Sequence, residues 1–268
     1  MRAIIAVLAV TLASAGIAQQ DPVSRSWNQP VKPFRIAGNL YYVGAIEVCS
    51  YLIATPKGLI VIDGGFVETA PMIRTSIAKL GFRIEDVRIL LNTHAHFDHA
   101  GGLAQLKMWS GAKLIVSKGD APLLARGGAD DPQFGNRFLF PPVEPDRVID
   151  DGARVELGGT TLTAHLTPGH TAGCTTWTTR TAGKDVVIVG SASVPSEYKV
   201  TQAIVAQYRR TFAVLNSLPC DIFLGSHGSF FDLAGKLAHK KSFVDPAGYR
   251  NFVRREEREF EAKALSAS

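Results

Sequence analysis

Between Thr93 and Ala100 the chain reads His94-Ala95-His96-Phe97-Asp98-His99, three imidazoles and a carboxylate within six residues. Neutral imidazole nitrogen and carboxylate oxygen together suit zinc in a roughly tetrahedral shell. Packing alone does not explain the crowd, because burying ionisable groups without partners is costly. In an extended stretch alternate side chains share a face, so His94 and His96 can grip one ion. Asp98 and His99, on the turn into a helix, point elsewhere and can grip a second. His170, in Thr167-Pro168-Gly169-His170-Thr171-Ala172-Gly173, and His227, in Gly225-Ser226-His227-Gly228, stand on glycine-flanked loops after strands. The simplest partition gives His94, His96 and His170 to a first zinc and Asp98, His99 and His227 to a second, so two Zn2+ ions per chain are expected. Of the remaining histidines, His165 inside a strand and His239 in the basic run Ala238 to Lys241 read as structural. Asp63, in Ile62-Asp63-Gly64-Gly65, reads as an orienting group rather than a ligand.

The elements that must deliver these residues follow from apolar periodicity. Phe34-Arg35-Ile36, Leu40 to Val43, Ser50 to Ala54 and Leu59 to Asp63 read as strands of an antiparallel meander, with a helix from Glu68 to Leu80 that stops at Gly81. Val87 to Leu91 is a buried strand running straight into the histidine cluster, and Leu103 to Met108 resumes helical character. A strand at Lys113 to Ser117 and a helix ending near Arg126 precede a Pro- and Asp-rich loop to about Pro145. The second half repeats the arrangement: strands at Arg154 to Leu157, Thr161 to Leu166, Thr175 to Thr179 and Val186 to Val189, then a helix from Thr201 to Leu218. Asp221 to Gly225 is a last strand delivering His227, and Val244 to Leu265 is a charged amphipathic helix. Strand-rich halves flanked by helices predict an α+β chain folded as a four-layer αββα sandwich. No low-complexity linker divides them, so one domain over residues 19–268 with internal pseudo-symmetry is expected.

Bulk properties narrow the setting. At 268 residues and 46% hydrophobic composition there is ample material for a core. Arg2, the apolar or small-residue run Ala3 to Ala18 and the small-x-small triplet Gly16-Ile17-Ala18 read as a cleaved signal peptide over residues 1–18, hence a periplasmic protein. The run is too short to span a bilayer comfortably, and no other stretch is long and apolar enough, so no membrane anchoring is expected. The formal charge of +5 is spread along the chain apart from Lys240-Lys241 and Arg254-Arg255, which does not indicate nucleic-acid binding. Cys49, Cys174 and Cys220 allow at most one internal disulfide, fit no zinc finger and read as buried thiols.

At His94 to His99 the sequence resembles the metallo-β-lactamase superfamily, whose hallmark is His-x-His-x-Asp-His with the flanking strand and glycines. The resemblance covers nearly the whole mature chain. It implies a hydrolase, and the superfamily also holds hydroxyacylglutathione thioesterases, lactonases and nucleases. In thioesterases and lactonases an aspartate bridges both metals late in the third quarter of the chain, and another β-lactamase subclass uses a cysteine there. This chain has Gly190-Ser191-Ala192-Ser193-Val194. That serine, with His99 as a ligand of the second zinc, is similar to subclass B3, as are Leu124-Ala125-Arg126-Gly127-Gly128, Asp130 to Gly135, Pro168 to Thr171 and Tyr208-Arg209-Arg210 through Asp221.

The resemblance implies zinc-dependent hydrolysis of a β-lactam, a small-molecule substrate; a monomer is expected. The nucleophile would be a hydroxide that the two zincs generate at neutral pH, with Asp98 orienting it. Ser191 would hold a water near the second metal, Ser193 would bind the substrate carboxylate, and Gln133, Phe134 and Leu139 would border the cleft. Many relatives pair a cysteine at the position of Cys220 with one near the start of the C-terminal helix, where this chain has Phe243. Two other readings compete: a lactonase or thioesterase of the same fold, which the missing aspartate between Val189 and Val194 disfavours, and a non-catalytic zinc-binding protein.

Overall fold

Leu59-Ile60-Val61-Ile62 is apolar at every position, as a strand covered on both faces must be. In the computed structural model, which describes residues 22–266, it forms β4 (Gly58–Ile62) at the centre of a seven-stranded sheet. The other members are β1 (Phe34–Ala37), β2 (Leu40–Tyr42), β3 (Tyr51–Thr55), β5 (Val87–Leu91), β6 (Lys113–Ser117) and β7 (Arg147–Ile149), in that spatial order. The expected leader over residues 1–18 lies outside the described residues.

The meander β1 to β4 is antiparallel, whereas β4 to β7 pair in parallel. Parallel pairing needs a crossover. Helix α2 (Thr69–Lys79) carries the chain from β4 to β5, α3 (Phe97–Ala100) and α4 (Leu103–Ser110) from β5 to β6, and α5 (Ala121–Ala125) opens the connection to β7; a short α1 (Pro22–Trp27) precedes them all.

The second sheet repeats this plan. The strands β8 (Arg154–Leu157), β9 (Thr160–Leu166), β10 (Thr175–Thr181) and β11 (Lys184–Val189) form an antiparallel meander, and α6 (Gln202–Ser217) crosses over to β12 (Ile222–Gly225), parallel to β11. Helices α7 (Leu233–His239) and α8 (Pro246–Ser266) close the chain. The ligand-rich loop after β5 and the His227 loop after β12 therefore occupy matching positions in the two halves.

Strand alternation sorts the core into layers. From β4, Leu59 and Val61 join Ile73, Ile77, Leu103 and Leu106 under the helices. Ile60 and Ile62 face the other way, into a cluster with Leu162, Ala164, Trp177 and Ile188 of the second sheet. The same cluster continues into Tyr208 and Phe212 of α6 and Phe252 and Phe260 of α8. Helices, sheet, sheet and helices are thus stacked in the expected αββα order.

The predicted strands and long helices form with bounds shifted by a residue or two. Unexpected are α1, α7 and β7; the last is three residues long and pairs with β6 alone, too little to write a period of two. Cys49 and Cys174 are buried free thiols, as read from sequence, and Cys220 is free and half-buried, packed against the core cluster. His165 uses its Nε2 on Thr178 Oγ1 at 2.8 Å across the β9–β10 pair, a structural role. No helix among the described residues is long and apolar enough to cross a membrane.

Candidate metal centre

The hydrogen-bond ladder of β5 ends at Leu91, and Asn92-Thr93 turn the chain so that His94 and His96 enter the space between the sheet ends. Asp98 and His99 fall in the single turn of α3, whose N-cap is His96 in extended conformation. His170 arrives on the loop between β9 and β10, and His227 follows β12 at the start of a 3-10 turn, Gly228–Phe231. Five of these six side chains are buried and His227 is nearly so.

They converge in two sets. His96 Nδ1 lies 3.1 Å from His170 Nε2. The His94 ring centroid is 5.0 Å from that of His96 and 4.7 Å from that of His170. Ligand atoms of these three histidines all fall within 4.8 Å of one another, as do those of His94, Asp98 and His99. In the second set His99 Nε2 lies 3.1 Å from His227 Nε2 and 3.2 Å from Asp98 Oδ2, and His227 Nε2 lies 3.6 Å from the same oxygen. The His94 and His99 rings, 4.2 Å apart, join the sets.

Each facing pair of ring nitrogens can share at most one proton, and His94 Nε2 is a buried atom with no hydrogen-bond partner. A divalent cation resolves that conflict, and nitrogen with carboxylate oxygen is a zinc donor set. The far side of each ring supports the same orientation. His170 Nδ1 donates to the Ser193 carbonyl at 2.9 Å, which leaves its Nε2 lone pair aimed at the cluster. His227 Nδ1 faces Glu47 Oε1 at 3.5 Å, His99 Nδ1 faces Asp63 Oδ2 at 3.6 Å and His96 Nε2 faces Asp131 Oδ2 at 3.6 Å. Oxygen behind an imidazole is how metal-binding histidines are aimed.

The metal-free electrostatics differ between the sets. Burial, then neighbouring imidazoles, holds His94 and His96 well below the usual histidine range, and burial pushes His170 down to about 4. Burial works against the charge on His99 too, yet Asp98 and Asp63 outweigh it and raise that ring to about 10. Burial alone would raise Asp98; the pull of His99 and His227 keeps its carboxyl well below the usual range.

Asp63 does the orienting work read from sequence. It accepts from Asn92 Nδ2 at 2.8 Å, Thr93 N at 2.7 Å and Thr93 Oγ1 at 2.6 Å, holding the turn that launches His94. Its φ of 65° is a left-handed conformation that costs most side chains and that aspartate tolerates better than most. Ser191 and Ser193 sit beside His170, their hydroxyl oxygens 3.2 Å apart. The Ser193 carbonyl also accepts from Tyr208 Oη at 2.7 Å. Ser226 Oγ donates to the Gly190 carbonyl, tying the His227 loop to the Ser191 loop. Phe134 packs on His96 with centroids 5.1 Å apart, and Phe138 stacks on Phe97 at 4.4 Å, forming an apolar wall. Leu139 is exposed, and Gln133 spends its Oε1 on the backbone N–H of Lys199 at 3.0 Å. Gln133 shares with His170 a cavity of about 230 Å³.

Sequence reasoning missed Glu47, Asp120 and Tyr198. Tyr198 is buried, donates to the His170 carbonyl at 2.8 Å and stands 3.4 Å from His96 Nε2. None of the three belongs to a local pattern; an aspartate two residues into a turn before a helix, as Asp120 is, reads as a cap.

A family profile described as the metallo-beta-lactamase superfamily matches residues 44–227. Among solved structures, the native FEZ-1 metallo-beta-lactamase from Legionella gormanii is 44% identical, with a TM-score of 0.86 over 90% of this chain and 98% of that one. BJP-1, a subclass B3 metallo-beta-lactamase of Bradyrhizobium japonicum, is 34% identical, with a TM-score of 0.82 over 90% of this chain and 96% of that one. Curated relatives match more locally. A hydroxyacylglutathione hydrolase of Hyphomonas neptunium is 38% identical over 95 residues, 35% of this chain. The match spans only 29% of that protein's length, and 36% of a probable metallo-hydrolase of Burkholderia pseudomallei.

Proposed function

The chain belongs to the metallo-β-lactamase superfamily, and from that premise we propose that it is a zinc-dependent hydrolase of the subclass B3 type that opens the amide of β-lactam antibiotics. His94, His96 and His170 would hold one zinc ion, and Asp98, His99 and His227 a second. When bound there, zinc supplies Lewis acidity and lowers the pKa of water from about 16 to about 7.

The side chains then have separable tasks. The oxygens behind His170, His227, His99 and His96 keep the ring nitrogens that face the cluster free to bind metal. Asp98, kept ionised by its imidazole neighbours, orients the attacking oxygen. Ser193, half-buried with its hydroxyl beside that of Ser191, binds the substrate carboxylate, and Ser191 holds a water near the second metal. Phe134, Phe138 and Phe97 take the apolar part of the substrate and keep bulk water out. Protonation of the departing nitrogen falls to solvent, since every acid near the cluster is already engaged.

The observation that carries this reading is the loop after β11. It carries Ser191 and Ser193 and no carboxylate, where the resemblance implies a bridging aspartate in the superfamily's thioesterases and lactonases. The similarity to FEZ-1 and BJP-1 over nine-tenths of the chain supports it. Thioester hydrolysis is the second reading, favoured by the curated hydroxyacylglutathione hydrolase matches. A signal peptide over residues 1–18, a periplasmic location, a single domain over residues 19–268 and a monomer complete the proposal.

The deciding assay is hydrolysis of nitrocefin and a carbapenem, with and without chelator, beside a glutathione thioester and an acyl-homoserine lactone. Chelator-sensitive lactam turnover is expected. Turnover of the thioester or the lactone alone would move the chain to a sister activity and leave the metal centre standing.

A further inference from the structure

Asp120 stands at the N-cap position of α5, where an aspartate ordinarily turns back to cap its own helix. Here the side chain makes no cap hydrogen bond. Its carboxylate is 2% exposed and accepts three bonds from elsewhere: Oδ2 takes Ala95 N at 3.0 Å and Thr171 Oγ1 at 2.8 Å, and Oδ1 takes Gly173 N at 2.8 Å. Ala95 is the residue between His94 and His96, and Thr171 follows His170.

One buried carboxylate thus joins the loop that leaves the first sheet to the loop that hangs from the second. The backbones around it are in contact. A Cβ on Gly173 would meet Ser117 Oγ at 2.1 Å and Asp120 N at 2.3 Å, and one on Gly119 would meet the Ala172 carbonyl at 2.6 Å. Asp63 offers the contrast: its three accepted bonds all come from the single turn Asn92-Thr93. It shapes one loop, whereas Asp120 fixes the separation of two.

We propose that Asp120 is a positioning residue that sets the zinc affinity of the His94, His96 and His170 cluster by holding the His96 and His170 loops at one spacing. The inference rests on the reading that this cluster holds zinc. Asp120 touches none of the three rings, and its effect travels through Ala95 and Thr171. Metal donors must meet within a few tenths of an ångström, roughly ±0.2 Å, so a brace that fixes the span between two loops is worth affinity. Asparagine at this position keeps the volume but turns an NH2 group toward one of the two backbone N–H donors, Ala95 N or Gly173 N, replacing acceptance by repulsion on that side. Valine at position 171 removes one of the three bonds and leaves the others.

The test is zinc competition against a chromophoric chelator in a chain carrying His227→Ala, where the three-histidine cluster is the one complete set. Circular dichroism and metal-free melting are recorded alongside. Adding Asp120→Asn is expected to weaken zinc binding about 10- to 100-fold, and Thr171→Val by a smaller factor in the same direction. Leu215→Ala, a core truncation in α6 whose side chain makes no hydrogen bond to either loop, is expected to lower the melting temperature and leave zinc affinity within about twofold. Zinc affinity that stays within twofold in a folded Asp120→Asn chain overturns the proposal, as does an affinity loss no larger than that of Leu215→Ala. If Asp120→Asn does not fold, an unchanged affinity in Thr171→Val overturns it. A His227→Ala chain that binds no zinc brings down the metal reading itself, an outcome distinct from zinc that binds and ignores residue 120.

Discussion

The two ligand sets share one pocket and solve burial in opposite ways. His94, His96 and His170 come from both halves of the molecule, carry no charge of their own and are pressed toward neutrality. Asp98, His99 and His227 include a carboxylate, and His99 with Asp98 can rest as an ion pair 3.2 Å apart. Without a cation each set keeps a buried nitrogen with no hydrogen-bond partner, His94 Nε2 in the first and His99 Nδ1 in the second. The second has an ion pair to offset that cost and the first has none. The three-histidine set should therefore depend on metal for its order, and the carboxylate set should carry the charge chemistry.

The largest effect that could break this division is at Asp98. Asp98→Asn keeps shape and removes the anion, and kcat/KM on the preferred substrate is expected to fall by about 10³-fold with circular dichroism unchanged. Undiminished turnover in a folded variant would end the catalytic assignment of Asp98.

Metal removal comes next. A ligand present at about 1,000 times its Kd stabilises the fold by about 4 kcal/mol, which for a chain of this size is a Tm change of roughly 10 °C. Chelation is expected to lower Tm by about that amount and to raise amide exchange in the 168–173 loop more than in the 226–231 segment. Equal exchange in both would refute the contrast between the sets.

Stability of the metal-free chain against pH sharpens the same comparison. His170 has its folded pKa lowered to about 4, so the unfolded chain takes up more protons. Its contribution is complete above the unfolded value near 6.5 and is lost as pH falls toward 4, on the order of 3 kcal/mol in all. His99 is raised to about 10 and runs the other way: its contribution is complete below about 6.5 and is lost as pH climbs through 10. Denaturant melts across this range should lose the acid-side slope in His170→Gln and the alkaline-side slope in His99→Gln. A single slope removed by both variants would show that the sets titrate as one.

The smallest effect concerns aim rather than ligation. Glu47 faces His227 Nδ1 and accepts from Ser229 N at 3.1 Å. Glu47→Gln is expected to weaken zinc at the carboxylate set by roughly tenfold and to spare the three-histidine set. Two-step zinc titration reads both affinities, and an equal loss at both would assign Glu47 a structural role.

Much of this was legible in the chain. His94 to His99 announces its chemistry because ligand types sit within six residues, and an extended stretch into a helical turn divides them between two directions. Continuous apolar runs such as Leu59 to Ile62 and Val186 to Val189 likewise declared buried strands. The supports were not legible. Asp120 lies 25 residues from Ala95 and 51 from Thr171, and Glu47 is far from His227 in sequence. No periodicity encodes such pairs.

By itself the sequence determined which side chains could hold metal and which way each strand and helix turns its apolar face, because those properties are set within a few residues along the backbone. Only the stacking of two sheets decided that His170, 74 residues from His96, and His227, 128 residues from His99, would meet them at 3.1 Å. It also decided that Asp63, Asp120 and Glu47 would stand close behind the ligand loops without joining the two sets. Burial makes those contacts strong, and burial exists only once the layers have closed.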